Sequence, residues 1–339
     1  MKRIGKIIAL ILLLLIVFSA WRFFGSNTDF NEDKKALYIK TGSTFDDVIN
    51  DLSEQQILKN PGSFAWLAKM FGYNKNVKPG KYVITHGSSI FKIFRMLKSG
   101  NQSPVNFIIT KLRTKENLAQ KIAANFECDS LTFISILNSN DSLSKYGLDT
   151  NTVMTAIIPN TYSILWNTSG SKIFKKLFAE HEHFWNDERK QKAAALNLSP
   201  EEVYTLASIV EEETNADQDK GNIASVYLNR LHAHMKLGAD PTIKFALKNF
   251  ALKRIYTGYI DSSANSPYNT YKFSGLPPGP ICTPSEKTID AVLNEPSTNY
   301  LYFVAKPDRS GLSVFTDSYE QHQINARIYQ QYLDSLKIK

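Results

Sequence analysis

The stretch Leu198-Ser199-Pro200-Glu201-Glu202-Val203-Tyr204-Thr205-Leu206-Ala207-Ser208-Ile209-Val210-Glu211-Glu212-Glu213-Thr214 puts a run of carboxylates at the end of an apolar helix. Ser199, Pro200 and Glu202 read as an N-cap, a first-turn proline and a capping-box glutamate, which fixes where the helix begins. The register follows from that start. At about 100° per residue, Val203, Leu206, Ala207, Ile209 and Val210 form one stripe centred near Leu206 and Val210. Glu213 lies about 50° from that centre, Glu211 about 110° and Glu212 about 150°. This predicts a solvated Glu212, a Glu211 on the flank, and a Glu213 leaving the buried side at the helix C-terminus. Desolvation and the negative end of the helix dipole both raise the pKa of a carboxyl so placed. An acid still protonated near neutral pH is what cleavage of a glycosidic bond requires of its proton donor. The competing reading is a charged last turn without chemistry.

Downstream, Asp217 to Lys220 opens a second amphipathic run through Ile223, Val226, Tyr227, Leu231 and Met235, with Asn229 and Arg230 beside the stripe. Leu237-Gly238-Ala239-Asp240-Pro241-Thr242, Ser266-Pro267-Tyr268-Asn269-Thr270-Tyr271 and Gly275-Leu276-Pro277-Pro278-Gly279-Pro280-Ile281 follow. In this order, with Ala-Ser-Ile-Val-Glu-x-Glu-Thr at their head and Asn-Arg-Leu and Met-x-Leu between, the fragments resemble the MltG (YceG-like) family of endolytic murein transglycosylases. Each is short, but six in register over about eighty residues are specific. The likeness extends upstream through Pro159-Asn160-Thr161-Tyr162 and covers most of the chain.

The resemblance implies a lytic transglycosylase that cleaves the MurNAc-β-1,4-GlcNAc bond of nascent strands to leave 1,6-anhydro-MurNAc ends. It makes peptidoglycan glycan strands the substrate and wall-building peptidoglycan synthases the partners. It maps the catalytic acid onto Glu213, the residue that helical geometry reaches independently, and surrounds it with Glu211, Asn229, Arg230, Asp240, Thr242, Tyr268, Asn269 and Tyr271 as substrate-binding positions. Several readings of these residues stay open. Asp240 before Pro241 could cap a helix, or serve as the second carboxylate of a hydrolase. Arg230 could meet sugar amides or peptide carboxylates, or pair with Glu211. Tyr268 and Tyr271 offer flat faces to sugars, and the Asn269 amide both donates and accepts hydrogen bonds. Gly275 to Pro280 suits a stiff groove wall. A wall-binding scaffold with a vestigial site is the non-enzymatic alternative. The chain departs from the family pattern at Gly238, where Gln is usual, at Asn160, where Asp is usual, and around Lys111 to Arg113, where Glu-Gly is common.

The 339 residues, 43% hydrophobic and 12% aromatic, suffice for two or three folded units. Lys2, Arg3 and Lys6 precede an apolar run from Ile7 to Trp21, extended by Phe23 and Phe24 past Arg22, which could snorkel. No Ala-x-Ala site follows, so residues 1–6 read as a cytoplasmic N-terminus and 7–24 as an uncleaved, single-pass signal anchor in the inner (cytoplasmic) membrane. The positive N-terminus then puts the rest on the extracytoplasmic, periplasmic side. A net charge of +8 favours anionic wall polymers or the membrane surface, and no basic-aromatic module argues for nucleic acid. Cys128 and Cys282 form neither a disulfide framework nor a metal motif, though they could pair. His181 and His183 point to different sides of one helix and read as surface residues. No phosphate loop, zinc motif or Ser-His-Asp pattern occurs, so neither cofactor nor metal is expected.

The fold class expected is α+β: an N-terminal transmembrane anchor, a linker at 25–35, a small LysM-like α+β domain at 36–102, and a larger YceG-like α+β catalytic domain at 103–339. The first domain reads as strand 36–39, helix 45–52, helix 62–71, strand 80–84 and helix 90–97. The second reads as a β-rich run at 105–110, helices at 115–125, 131–138 and 173–185, paired strands at 300–304 and 313–315, and a closing helix at 319–336.

Overall fold

The computed structural model describes residues 2–335. The chain divides into two compact units: residues up to Phe107 with Ala123–Cys128 and Tyr162–Ser169, and residues Ile108–Ile122, Asp129–Thr161 and Gly170 onward. After Phe107 the chain therefore returns to the first unit twice, at Ala123–Cys128 and at Tyr162–Ser169.

In the first unit, α1 (Lys2–Phe24) is long and apolar enough to span a bilayer, and none of that span is buried in protein. Strand β1 (Lys34–Ile39) pairs antiparallel with β2 (Gly80–Thr85), Leu37 opposite Tyr82. Helices α2 (Phe45–Glu54) and α3 (Pro61–Met70) lie between the strands in sequence, and α4 (Ile90–Ser99) follows. Thr44 caps α2 through a reciprocal box with Asp47, and Ser89 caps α4. Leu37, Ile39, Val48, Leu52, Phe64, Tyr82, Ile93 and Leu97 close one core over the sheet. Residues 25–35 are not a free linker: Asn27 N–H donates to the Ser88 carbonyl, Thr28 bridges Leu58, and Phe30 is buried. An aromatic side chain and two isolated β-bridges, Ser26 to Ser89 and Thr28 to Leu58, tie that stretch to the core. The sheet of β3 (Val105–Ile108) and β4 (Thr161–Ile164) belongs mostly to this unit.

The second unit is largely helical. After α5 (Lys115–Asn125), α6 (Ser130–Leu137) and α7 (Asn140–Ser144) come α8 (Gly170–Phe184), α9 (Asp187–Ala195), α10 (Pro200–Glu213), α11 (Asp217–His232), α12 (Asp240–Ala246), α13 (Thr257–Ser262) and α14 (Glu286–Leu293). The hairpin of β5 (Tyr302–Ala305) and β6 (Ser313–Thr316) pairs Phe303 with Phe315 and packs with α15 (Tyr319–Ser335). The closing helix matches its expected start, and residue 336 lies outside the described residues. Helix α10 is the centre of this unit. Val203, Leu206, Ala207, Ile209 and Val210 are all fully buried against α11 and α14, and each large aliphatic removed from water there contributes about 1.5–3 kcal/mol. His181, expected at the surface, is buried and stacks on Phe178 at 5.3 Å, because α8 turns that face inward.

Candidate active site

Helix α10 starts as its sequence dictates. Pro200 occupies the first turn, Ser199 Oγ accepts from Glu202 N–H at 3.2 Å, and Glu202 Oε2 accepts from Ser199 N–H at 2.8 Å. The helix ends at Glu213, whose Oε1 accepts a hydrogen bond from the Tyr227 hydroxyl of α11 at 2.6 Å. Burial pushes the Glu213 carboxyl up to about 7, with the Asp240 charge acting in the same direction. The Tyr227 hydroxyl, Lys244 and Arg230 oppose the rise without cancelling it. Glu213 nevertheless retains some exposed surface, because it opens onto a cavity of about 240 Å³. Tyr227, Arg230, Gly238, Asp240, Tyr271, Phe303 and His322 complete the lining.

The other two glutamates depart from the helical reading. Glu212 is not solvated: Lys111 Nζ stands 3.1 Å from Oε1 and Arg113 Nη2 donates to Oε2 at 2.9 Å, leaving its side chain 13% exposed. Glu211 does not meet Arg230. Its Oε2 accepts from Ser285 Oγ at 3.1 Å and from the Thr288 hydroxyl, with Lys220 Nζ at 3.4 Å. Both carboxylates are consumed by partners that a single-helix projection does not contain.

Asp240 opens α12 without capping it, so the capping alternative fails: no side-chain cap bond forms, and Oδ1 accepts from the Tyr271 hydroxyl at 2.6 Å. Burial raises the pKa of Asp240, and burial together with the Asp240 charge raises that of Tyr271. The geometry of this pair comes from the turn before α12. Gly238 adopts φ +59°, its N–H donates to the Thr270 carbonyl at 3.0 Å, and Ala239 N–H donates to Thr270 Oγ1 at 2.9 Å. Buried Thr242 donates to the Ala239 carbonyl and lies 2.9 Å from Thr270 Oγ1. Asn269 is fully buried, its amide donating to the Ile260 carbonyl and Ser263 Oγ. Thr242 and Asn269 thus hold the loop that delivers Tyr271, and neither lines the cavity.

Arg230 lines the cavity while its guanidinium donates to the carbonyls of Leu301 and Leu237 and lies 5.3 Å over the Tyr302 ring. Asn229 faces elsewhere, its amide donating to the Thr298 and Tyr300 carbonyls. Tyr268 packs on Phe245 at 4.7 Å and lines a separate cavity with Arg113 and Lys248. Gly275 to Pro278 likewise line another cavity, and the segment is pinned to α10 by Ile281 N–H donating to Ser208 Oγ at 3.0 Å. Of the positions expected around the substrate, the structure therefore gathers Glu213, Arg230, Asp240 and Tyr271.

Sequence reasoning passed over Tyr227, Phe303 and His322 as cavity residues. Tyr227 carried a weak signal, a hydroxyl on an otherwise aliphatic stripe. His322 carried none, because only the packing of α15 brings it there; its ring stacks on Tyr302 at 5.1 Å, and burial with the nearby Arg230 charge lowers its pKa. Among the described residues no cluster of His, Cys, Asp and Glu is spaced to hold a metal ion. Chemically, the cavity presents one carboxyl that is part protonated near neutral pH, backed by a tyrosine donor and faced by an arginine.

The profile of the YceG-like family matches residues 37–328. The chain is 26% identical to a Bacillus subtilis endolytic murein transglycosylase over 301 residues, 84% of this chain and 82% of the relative. It is 28% identical over 326 residues to an endolytic murein transglycosylase of Streptococcus pneumoniae R6, 85% of this chain but only 57% of that longer protein. A yceG-like protein of known structure from Listeria monocytogenes superposes with a TM-score of 0.58 at 25% identity, covering 87% of this chain and 99% of that one.

Proposed function

Because the chain belongs to the YceG-like family, we propose that it is a membrane-anchored lytic transglycosylase that cuts MurNAc-β-1,4-GlcNAc bonds within peptidoglycan strands and leaves 1,6-anhydro-MurNAc ends. The observation that carries the reading is Glu213, a desolvated carboxyl raised to about 7 at the wall of a cavity. Protonated Glu213 gives its proton to the glycosidic oxygen as the bond to the muramoyl anomeric carbon breaks. The carboxylate so formed takes the proton of the C6 hydroxyl, whose oxygen closes onto the anomeric carbon, so acid and base are one residue and no water is consumed. The intramolecular nucleophile needs no second carboxylate to activate it and gains the advantage of proximity. The Tyr227 hydroxyl and Arg230 stabilise the carboxylate between the two transfers.

A hydrolase reading draws on Asp240, which shares the cavity. The Tyr271 hydroxyl occupies Asp240 Oδ1, which argues against a carboxylate free to activate water. Digestion of purified peptidoglycan by the full-length protein, followed by mass spectrometry, separates the readings. Anhydro ends are expected; reducing ends would establish hydrolysis, and no products would remove the enzyme reading altogether.

In the same proposal the basic residues before the span keep the N-terminus in the cytoplasm, and the two units face the wall. The β1–α2–α3–β2 order supports a LysM-like glycan-contacting role for the first unit. Peptidoglycan synthases would supply the nascent strands, whose elongation the cut would end.

A further inference from the structure

The end of the membrane-spanning helix is built into the first unit. Arg22 Nε donates to Ser63 Oγ at 2.6 Å and its Nη2 to Asn60 Oδ1 at 3.3 Å, both residues at the start of α3. Phe23 packs on Trp66 at 5.6 Å and Phe24 on Phe91 at 5.0 Å. Residues 25–35 return at once into the core, so no slack separates the span from α3 and α4.

The surface beside that junction is apolar and basic together. On α3, Trp66, Lys69 and Met70 share one exposed face, and Phe71 follows. Trp66 is 54% exposed, Met70 57% and Phe71 49%, a contiguous set of large apolar side chains that a water-facing surface leaves uncovered only at some cost. Cations frame it. Lys98 of α4 stands 5.3 Å over the Phe71 ring, Arg95 is exposed on the same helix, and a cleft of about 550 Å³ beside Trp66 is lined by Arg22 and Lys59.

We propose that this α3/α4 face lies in the headgroup layer of the bilayer that α1 spans, with Trp66, Met70 and Phe71 among the glycerol and upper acyl groups and Arg22, Lys59, Lys69 and Lys98 on lipid phosphates. Tryptophan and long cationic side chains favour this layer because each has an apolar body and a polar tip. The occupant is lipid because the face is continuous with the end of a span, and a helix end bonded to α3 fixes the height of α3 above the membrane. The first unit is then seated on the membrane surface, independently of whichever reaction the second unit performs.

The test is quenching of Trp66 in the full-length protein reconstituted into phosphatidylglycerol–phosphatidylcholine vesicles. The chain has 4 tryptophans, so the Trp66 signal is taken as the difference between the parent and Trp66→Phe. Lipids brominated at shallow acyl positions should quench at least half of that difference signal, and aqueous iodide should leave it nearly unchanged. Quenching by iodide but not by brominated lipid would overturn the proposal. So would protection from both accompanied by a dimer in crosslinking, which would make a second copy of the chain the occupant. Met70→Glu supplies a second readout: hydrogen exchange of the α3 amides in vesicles should rise at least tenfold over the parent, with the α2 amides as internal control. Equal exchange in the two proteins would also sink the idea.

Discussion

Helix α10 begins with hydrogen bonds confined to one turn and ends with carboxylates held by partners as distant in sequence as Lys111 and Arg113. At the first turn Ser199 and Glu202 satisfy each other, and nothing else in the chain is needed to place them. At the last turn three successive glutamates have three different fates. Glu211 is taken by Lys220, Ser285 and Thr288, Glu212 by Lys111 and Arg113, and Glu213 by a single hydroxyl and a cavity. Two of the carboxylates are paired, and the third is the desolvated one that the proposed mechanism uses. The contrast teaches that helical phase selects which side chain is desolvated, whereas tertiary charge decides what becomes of the rest.

The sharpest way to break this contrast is Glu213→Gln. Under the proposed mechanism this removes the proton donor and should reduce turnover about 10³-fold or more, measured as anhydro-product release. The same variant also reads the desolvation directly. With the folded pKa near 7 and the unfolded value near 4.5, the folded state holds a proton that the unfolded chain has released between those pH values. Stability of the parent therefore falls as pH rises through that window, by up to about 3 kcal/mol. The amide escapes this, so Glu213→Gln should melt higher than the parent at pH 8 and lose that advantage below about pH 5. A variant that melts lower at pH 8 would show that the carboxyl is not desolvated.

Glu212→Gln probes the neighbouring fate. Helical phase alone expects a silent change at a solvated position. The structure expects a loss of about 1–2 kcal/mol, because Lys111 and Arg113 lose their shared carboxylate in a partly shielded site. Denaturant melts at low and high salt check it, since the ionic part of the loss should shrink with added salt. At the other end of the helix, Ser199→Ala should cost about 1 kcal/mol with little change in turnover at a temperature where both proteins are folded. If Ser199→Ala impaired turnover as much as a cavity substitution, the two ends of α10 would be functionally coupled and the contrast would fail.

What the sequence disclosed divides along the same line. The helix start at Ser199, the β1 and β2 strands and the Lys115–Asn125 helix rest on local bonds or local periodicity, and all were legible. So was the desolvated side of Glu213. The short helices α9 and α14 escaped notice, although Asn186 and Ser285 cap them with side-chain hydrogen bonds. The burial of His181, the cation pair on Glu212 and the arrival of His322 at the cavity depend on which surfaces meet, information that no window of sequence contains. Asp240 is the instructive intermediate. Its position before Pro241 suggested a cap, yet the Thr242–Thr270 contact brings Tyr271 within hydrogen-bonding distance, and the carboxylate turns toward that donor.

The smallest expected effects are the most diagnostic, because two substitutions should move one pH limb in opposite directions. Under the proposed mechanism Glu213 must be protonated to begin, so kcat/KM should fall as pH rises past about 7. The Tyr227 hydroxyl stabilises the charged form, so Tyr227→Phe should raise the carboxyl's pKa and move the falling limb to higher pH. The Asp240 charge opposes ionisation of Glu213, so Asp240→Asn should lower that pKa and move the limb to lower pH. Each displacement should be about half a pH unit, well under 1 kcal/mol of differential interaction. Both limbs moving the same way would mean that they report a group other than Glu213. An unmoved limb in Tyr227→Phe, with Asp240→Asn displaced as expected, would mean instead that water replaces the hydroxyl at Oε1. Opposite displacements would tie the titration to Glu213, the last-turn glutamate that no salt bridge holds, and hence to the chemistry proposed for it.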